Sequence, residues 1–436
     1  MITRHLAAAV NEALGDTPVV LVNGPRQSGK STLVQQVAAA RDASAVVTLD
    51  DPATLDALRR DPVGFIGGLG PFAVIDEVQR APEIFVVLKL EVDRNRRPGR
   101  FLLTGSADVF LLPDLSDSLA GRMEIVTLWP LSQGEIEGVR EGFVDLLFSA
   151  VPLAPYRSDL GRDEVLRLAL RGGFPEVLTR ATDSARRRWF DAYITTLLYR
   201  DIRDLASIEG LTQLPRLLQV LATRASSQVN AADISRTMGI PNTTLRRYIT
   251  LLTQTFTLQP LPAWSNSMDE QAVRSPRQSF SDSGLLAHLL GASTPSSRAG
   301  PDALGPVLET FVLNEVRKQS AWSAVQPRLS FFRTHGGLEV DIILQARDGR
   351  VAGIEVKAAA SVGGSDFKGL EALRDALGDR FMAGVVCYTG SVGLPFGDRL
   401  WALPIDALWR MSALPSPPVE KISPLSGEIL TTQRPA

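Results

Sequence analysis

Gly24-Pro25-Arg26-Gln27-Ser28-Gly29-Lys30-Ser31 is a full match to the pattern G-x-x-x-x-G-K-[ST], and what flanks it decides the fold. The apolar run Val19-Val20-Leu21-Val22 leads in as a buried strand, and Thr32-Leu33-Val34-Gln35-Gln36-Val37-Ala38 leads out as a helix. Glycines at 24 and 29 let the backbone curl so that its N–H groups point inward at phosphate oxygens. The helix start adds its positive end. Residues Gly24 through Thr32 would cradle a nucleotide, with Lys30 reaching the β- and γ-phosphates and the Ser31 hydroxyl ligating Mg²⁺.

Further strands are expected at Ala45–Leu49, Phe72–Ile75, Phe101–Thr104 and Glu124–Leu128, alternating with helical segments. That alternation predicts an α/β domain over 1–135, a parallel sheet covered by helices, with ligand beyond the carboxyl ends of the strands. The run Phe72-Ala73-Val74-Ile75 delivers Asp76 and Glu77. Asp76 suits the Mg²⁺ shell, and Glu77 suits polarising the attacking water. Acids after a strand also cap helices, but a preceding phosphate loop favours the first reading. Leu102-Leu103-Thr104-Gly105-Ser106 places Ser106 where a polar group would orient water, or where a plain turn would stand. Arg122, just before the fifth strand, reads either as a γ-phosphate sensor, in cis or across a subunit interface, or as a surface arginine.

The motifs resemble bacterial and archaeal AAA-type P-loop ATPases that carry a C-terminal domain of unknown function. The likeness rests on residues 24–31 and on Ile-Asp-Glu-Val-Gln at 75–79. It continues through Leu-Thr-Gly-Ser at 103–106, Gly-Arg at 121–122 and Trp-Pro-Leu-Ser at 129–132. Gly172-Gly173-Phe174-Pro175-Glu176 and Tyr199-Arg200-Asp201-Ile202 also fit. The resemblance implies ATP binding and little about biological role.

A chain of 436 residues exceeds a single core, and no apolar run reaches the length of a membrane span. With no convincing targeting segment at Met1–Ala7, a cytoplasmic location is expected. The single cysteine, Cys387, sits in an apolar run and reads as a core thiol. A net charge of −2 gives no global attraction to nucleic acid, so such binding must come from local patches. Lysine is scarce, standing at 30, 89, 318, 357, 368 and 421, so a lysine in a motif slot carries information.

Residues 136–210 read as a connector and helical lid. Over 211–263, two amphipathic helices, the Gly239-Ile240 turn, a polar helix from Asn242 and a terminal strand or wing make a winged helix-turn-helix layout. It carries Arg216, Arg224, Arg236, Arg246 and Arg247 against Asp233 alone, and its third helix presents Asn242, Thr243 and Thr244 beside two of those arginines. DNA contact is one reading and protein docking the other.

Residues 264–302 read as a linker, 303–411 as a restriction-endonuclease-like αβββαβ domain, and 412–436 as a disordered tail. In the hairpin 337–357, the apolar pattern selects a three-residue loop, Arg347-Asp348-Gly349, which pairs Ile342 with Ile354 and puts Glu339, Asp341, Glu355 and Lys357 on one face. Asp341 and Glu355, with Glu309 from the preceding helix, suit Mg²⁺ or Mn²⁺, and Lys357 suits orienting hydroxide. The set resembles the PD-(D/E)xK nuclease core, with Val340-Asp341 in place of Pro-Asp. An inactive relative, or a merely solvated charged face, is the competing reading.

Two functions lead, with a third behind them. One is a Mg²⁺-ATP-dependent protein that gates a DNA-binding or DNA-cleaving C-terminal half. The other is a nucleotide-switched regulatory module without nuclease activity. A homo-oligomeric remodelling ring is a third, which would need Arg122 to act in trans.

Overall fold

A computed structural model describes residues 2–107, 119–149, 151–198, 202, 211–228, 230–265, 275–292, 301–334 and 336–412. Tyr199-Arg200-Asp201, His335 and nearly all of the tail lie outside these residues.

Five parallel strands, β1 (Val19–Asn23), β2 (Ala45–Thr48), β3 (Ala73–Asp76), β4 (Phe101–Gly105) and β5 (Met123–Thr127), form one sheet in the order β2-β3-β4-β1-β5. Every residue of β1 and β4 is buried, as strands covered on both faces require. The alternation of apolar run and helix thus gives the expected parallel sheet. The helix Lys30–Ala40 starts where β1 and its loop end.

Beyond the sheet come the helices Arg162–Arg171 and Asp183–Thr196, followed by Leu214–Ala222, Ala231–Met238 and Asn242–Gln254. Asn230 caps the fourth of these by accepting from the Asp233 N–H, and Gly239 ends it in the left-handed conformation at φ 69°. The strand that follows, β6 (Leu258–Leu261), pairs antiparallel with β7 (Arg277–Phe280). That pairing corrects the expected linker over 264–302, which contains β7 and the helix Ser283–Leu289. The helix is capped by the buried Asp282, whose side chain accepts from the Leu285 N–H. Pairing with a distant strand and burial of a short helix are tertiary effects, invisible in a Ser- and Pro-rich composition.

The last unit hangs on the 20-residue helix Pro301–Ser320 and a six-stranded sheet. Its strands β8 (Arg328–Arg333), β9 (Glu339–Gln345), β10 (Val351–Lys357), β11 (Phe381–Tyr388), β12 (Leu394–Pro395) and β13 (Leu400–Pro404) lie in the order β12-β13-β11-β10-β9-β8. Ile342 pairs with Ile354, and Gly349 sits at φ 87°, so the register chosen by the apolar pattern is the observed one. The parallel strand β13 extends the expected αβββαβ order.

Candidate nucleotide site and the C-terminal acid cluster

The loop after β1 turns through Gly24 at φ 140°, Gln27 at φ 61° and Gly29 at φ 96°. A β-carbon at Gly24 would stand 2.2 Å from the Leu128 carbonyl oxygen, so the loop packs against the chain leaving β5 in a way only glycine permits. Pro25 and Ser28 are buried, Arg26 is half-buried, and Gln27 and Thr32 are exposed at the loop tip and helix start. Lys30 is 5% exposed, and its ammonium donates to the carbonyls of Gly24 at 3.0 Å and Pro25 at 2.8 Å.

Ser31 and Asp76 meet across the site, the hydroxyl donating to Asp76 Oδ1 at 3.2 Å. The Thr104 hydroxyl also donates to that oxygen and accepts from the Glu77 N–H at 3.1 Å. Burial pushes the Asp76 carboxyl above its ordinary range; the Thr104 hydroxyl, and more weakly Ser31 and Lys30, pull it back, while the Glu77 charge adds to the rise. The donor set at this point is a hydroxyl, a carboxylate and the phosphates a nucleotide would bring. Hard oxygen donors of that kind fit Mg²⁺. Glu77 takes a left-handed backbone at φ 61°, which is costly for a residue with a β-carbon and is common at functional positions. Gln79 donates from its amide to the Glu77 carboxylate and to Ser106 Oγ at 2.9 Å, while the Ser106 hydroxyl lies 3.3 Å from Glu77. Asp76, Glu77 and Ser106 are therefore brought together, with Gln79 between the last two.

Arg122 is not at this site. It precedes β5, and the parallel register aligns Met123 with Val19, at the opposite end of the sheet from the loop. Its guanidinium instead pairs with Asp93 at 2.6 Å and with the Ala120 carbonyl at 3.2 Å. The cis role is thus corrected: residues just before a parallel strand lie on the edge away from the ligand.

Sequence reasoning missed Arg4. Buried to 7% exposure, it donates to the carbonyls of Ser28 and Trp129, each at 2.6 Å, and to Glu135 Oε1 at 3.1 Å. One guanidinium fork thereby locks the phosphate loop onto the segment after β5. From there, buried polar contacts run on into the C-terminal half. The Gln133 N–H donates to Glu315 Oε2 at 2.8 Å, and Lys318 bridges Glu315 at 2.6 Å and the Leu131 carbonyl at 2.9 Å. Burial raises the Glu315 carboxyl to about 7 despite Lys318.

Glu315 and Lys318 belong to the helix Pro301–Ser320, which also carries Glu309 to the C-terminal acids. There the structure departs from a metal centre. Arg277, from β7, is 3% exposed, and its guanidinium lies 3.4 Å from Glu309 and 3.7 Å from Asp341, with Glu339 also paired to it. It stacks on the Phe331 ring, 4.4 Å from the centroid. Asp341 Oδ2 accepts from the Val356 N–H at 3.0 Å. Lys357 donates to Glu355 Oε1 at 2.8 Å, and Glu355 Oε2 is buried with no partner. Burial first, and the Asp341 charge second, raise Glu309 to about 8 and Glu355 to about 7. Among the described residues no group of three or more His, Cys, Asp or Glu is disposed to hold a metal ion. Glu309, Asp341 and Glu355 therefore do not fit Mg²⁺ or Mn²⁺ as they stand, because the cation among them is the protein's own. The acids Glu309, Glu339, Asp341 and Glu355 line an open cleft of about 530 Å³ together with Lys357 and Lys368.

Two mycobacterial proteins, one from Mycobacterium bovis and one from Mycobacterium tuberculosis, both described as uncharacterized, are each 33% identical to this chain over 407 residues, spanning 93% of it and 84% of their own length. The chain belongs to their family. A family model described as an AAA domain matches residues 16–137, and two domains of unknown function, DUF8612 and DUF4143, match 162–296 and 304–408. The N-terminal part is thus an AAA-type P-loop domain. Among solved structures, AMPPCP-bound DnaA from Aquifex aeolicus aligns at 15% identity over 56% of this chain and 86% of that one, with a TM-score of 0.28. A Thermotoga maritima RuvB variant aligns at 18% identity over 60% and 90%, with a TM-score of 0.30. No helix among the described residues is long and apolar enough to cross a membrane.

Proposed function

We propose that this protein binds and hydrolyses Mg²⁺-ATP and that its nucleotide state controls a DNA-contacting second half. The observation carrying the first part is the convergence of Lys30, Ser31, Asp76 and Glu77 at the carboxyl end of the sheet. Lys30 donates to two neutral carbonyls, which phosphate oxygens can replace because their charge attracts the ammonium more strongly. Ser31 and Asp76 would hold Mg²⁺, which offsets charge on the phosphates. Glu77, kept in place by Gln79 and Ser106, accepts the proton of the attacking water.

Control of the second half is supported by the buried path from Arg4 through residues 131–135 to Glu315 and Lys318, which joins the phosphate loop to the helix bearing Glu309. Contact with DNA is supported by the exposed start of the helix Asn242–Gln254, where Asn242, Thr243, Arg246 and Arg247 face solvent on a helical unit, closed by β6 and β7, that is read as a winged helix. The C-terminal sheet, with its αβββαβ order, is read as nuclease-like. Arg277 among the acids favours a form without cleavage activity. In trans, Arg122 remains a candidate only if copies assemble.

The test is the rate of ATP hydrolysis with and without DNA, at low and moderate salt. DNA-stimulated hydrolysis that fades as salt rises supports the reading. Identical rates with and without DNA, together with no DNA binding at low salt, leave only the nucleotide-switched regulatory module docking to protein.

A further inference from the structure

We propose that Arg277 is the built-in cation of the C-terminal acid cluster, a strand-borne competitor that must leave before Glu309, Asp341 and Glu355 can take a divalent ion. The inference rests on the nuclease-like reading of the C-terminal sheet and not on the ATPase.

The acids and the arginine come from different units. Glu339 and Asp341 stand on β9 and Glu355 on β10, within the six-stranded sheet, and Glu309 on the helix packed against it. Arg277 stands on β7, which pairs with β6 in a separate two-stranded sheet and is bridged at Arg277 by Gln228. A guanidinium buried to 3% exposure, facing three carboxylates and capped by Phe331, is a complete ion site in which the ion is covalently attached to another module. Arg333 approaches the outer side of Glu339 at 3.9 Å, and Lys357 covers one oxygen of Glu355. One buried oxygen, Glu355 Oε2, is left without a partner beside this cluster. That oxygen is acceptor capacity which the internal cations do not use. A divalent ion on Glu309 and Asp341 would share space with the guanidinium and meet its charge in a site of low dielectric, so the two exclude each other. Displacing β7 thus removes the competing charge from acids that already line the cleft, and the same event unseats the strand pair that closes the helical module.

The experiment titrates Mn²⁺ into the full-length protein without nucleotide, reading free ion by electron paramagnetic resonance. Hydrogen exchange over residues 277–280 is followed in parallel. Arg277→Gln is expected to bind one Mn²⁺ at least tenfold more tightly than wild type, to lose it again when Asp341→Asn is added, and to exchange faster over 277–280. If Arg277→Gln does not fold, Arg277→Met, which keeps much of the length and removes the charge, decides on the same readout. Equal Mn²⁺ affinity in wild type and variant overturns competition while leaving the nuclease-like reading in place. Faster exchange with no Mn²⁺ site in any variant overturns the competition and the metal role of the acids together.

Discussion

Lys30 and Arg277 are both buried cations facing acids delivered by a strand, yet they are held in opposite ways. Lys30 donates to two neutral carbonyls within reach of the Asp76 charge. Arg277 rests on carboxylates and an aromatic face. A neutral cradle yields its cation to an arriving phosphate, because the ionised acceptor forms the stronger bond. A cradle of carboxylates does not, since withdrawing the arginine leaves buried acids uncompensated. The first site is poised for a ligand and the second is satisfied by the chain itself.

The contrast can be broken first at Lys30. Replacing it by alanine should lower ATP hydrolysis by about 10³-fold or more through lost charge stabilisation, without a comparable fall in thermal stability. A parallel loss of melting temperature and activity would mean that Lys30 is a structural cation like Arg277. Conversely, Arg277→Ala should cost about 3–5 kcal/mol of stability at neutral pH, the range for removing one partner of a buried ion pair. Denaturant unfolding would show it; a change near zero would mean that the acids are already neutral and the arginine is dispensable.

Gln79→Ala offers a finer cut. It frees the Glu77 carboxylate and Ser106 while leaving both in place, so kcat should fall about tenfold with ATP affinity unchanged, a share of what general-base catalysis contributes. An unchanged kcat would show that Glu77 holds its position unaided. The smallest effect concerns pH. Glu309, near 8, and Glu355 and Glu315, near 7, bind protons in the folded chain that the unfolded chain has already released. The folded state therefore binds more protons over this window, and stability falls as pH rises from about 5 towards 8. Glu309→Gln should flatten the decline in melting temperature, and an unaltered slope would place the titration elsewhere.

Legibility in the sequence followed how local each signal was. The phosphate loop, Asp76 and Glu77 lie within short contiguous runs, and the hairpin register followed from apolar alternation between Val340 and Val356. Arg122 was misplaced although its position before β5 was readable: strand direction in a parallel sheet puts it on the far edge. Arg4 and Arg277 left no such trace. Each reaches partners far along the chain, Glu135 in one case and Glu339 in the other, and a single arginine in a short polar stretch carries no period. The one available hint was an arginine opening Arg277-Gln278-Ser279-Phe280, a run able to form a strand and bury its first residue. Glu309, Asp341 and Glu355 were read as metal ligands, and they do lie together on adjoining elements, but the reading could not see the cation arriving from outside their own domain.

The measurement that bears most directly on this account is Mg²⁺-ATP binding and turnover by Glu77→Gln, which keeps the side chain's shape and removes its basicity. The account predicts wild-type ATP affinity with hydrolysis lowered by about 10²–10⁴-fold, the contribution of a positioned general base. Hydrolysis at the wild-type rate would contradict it.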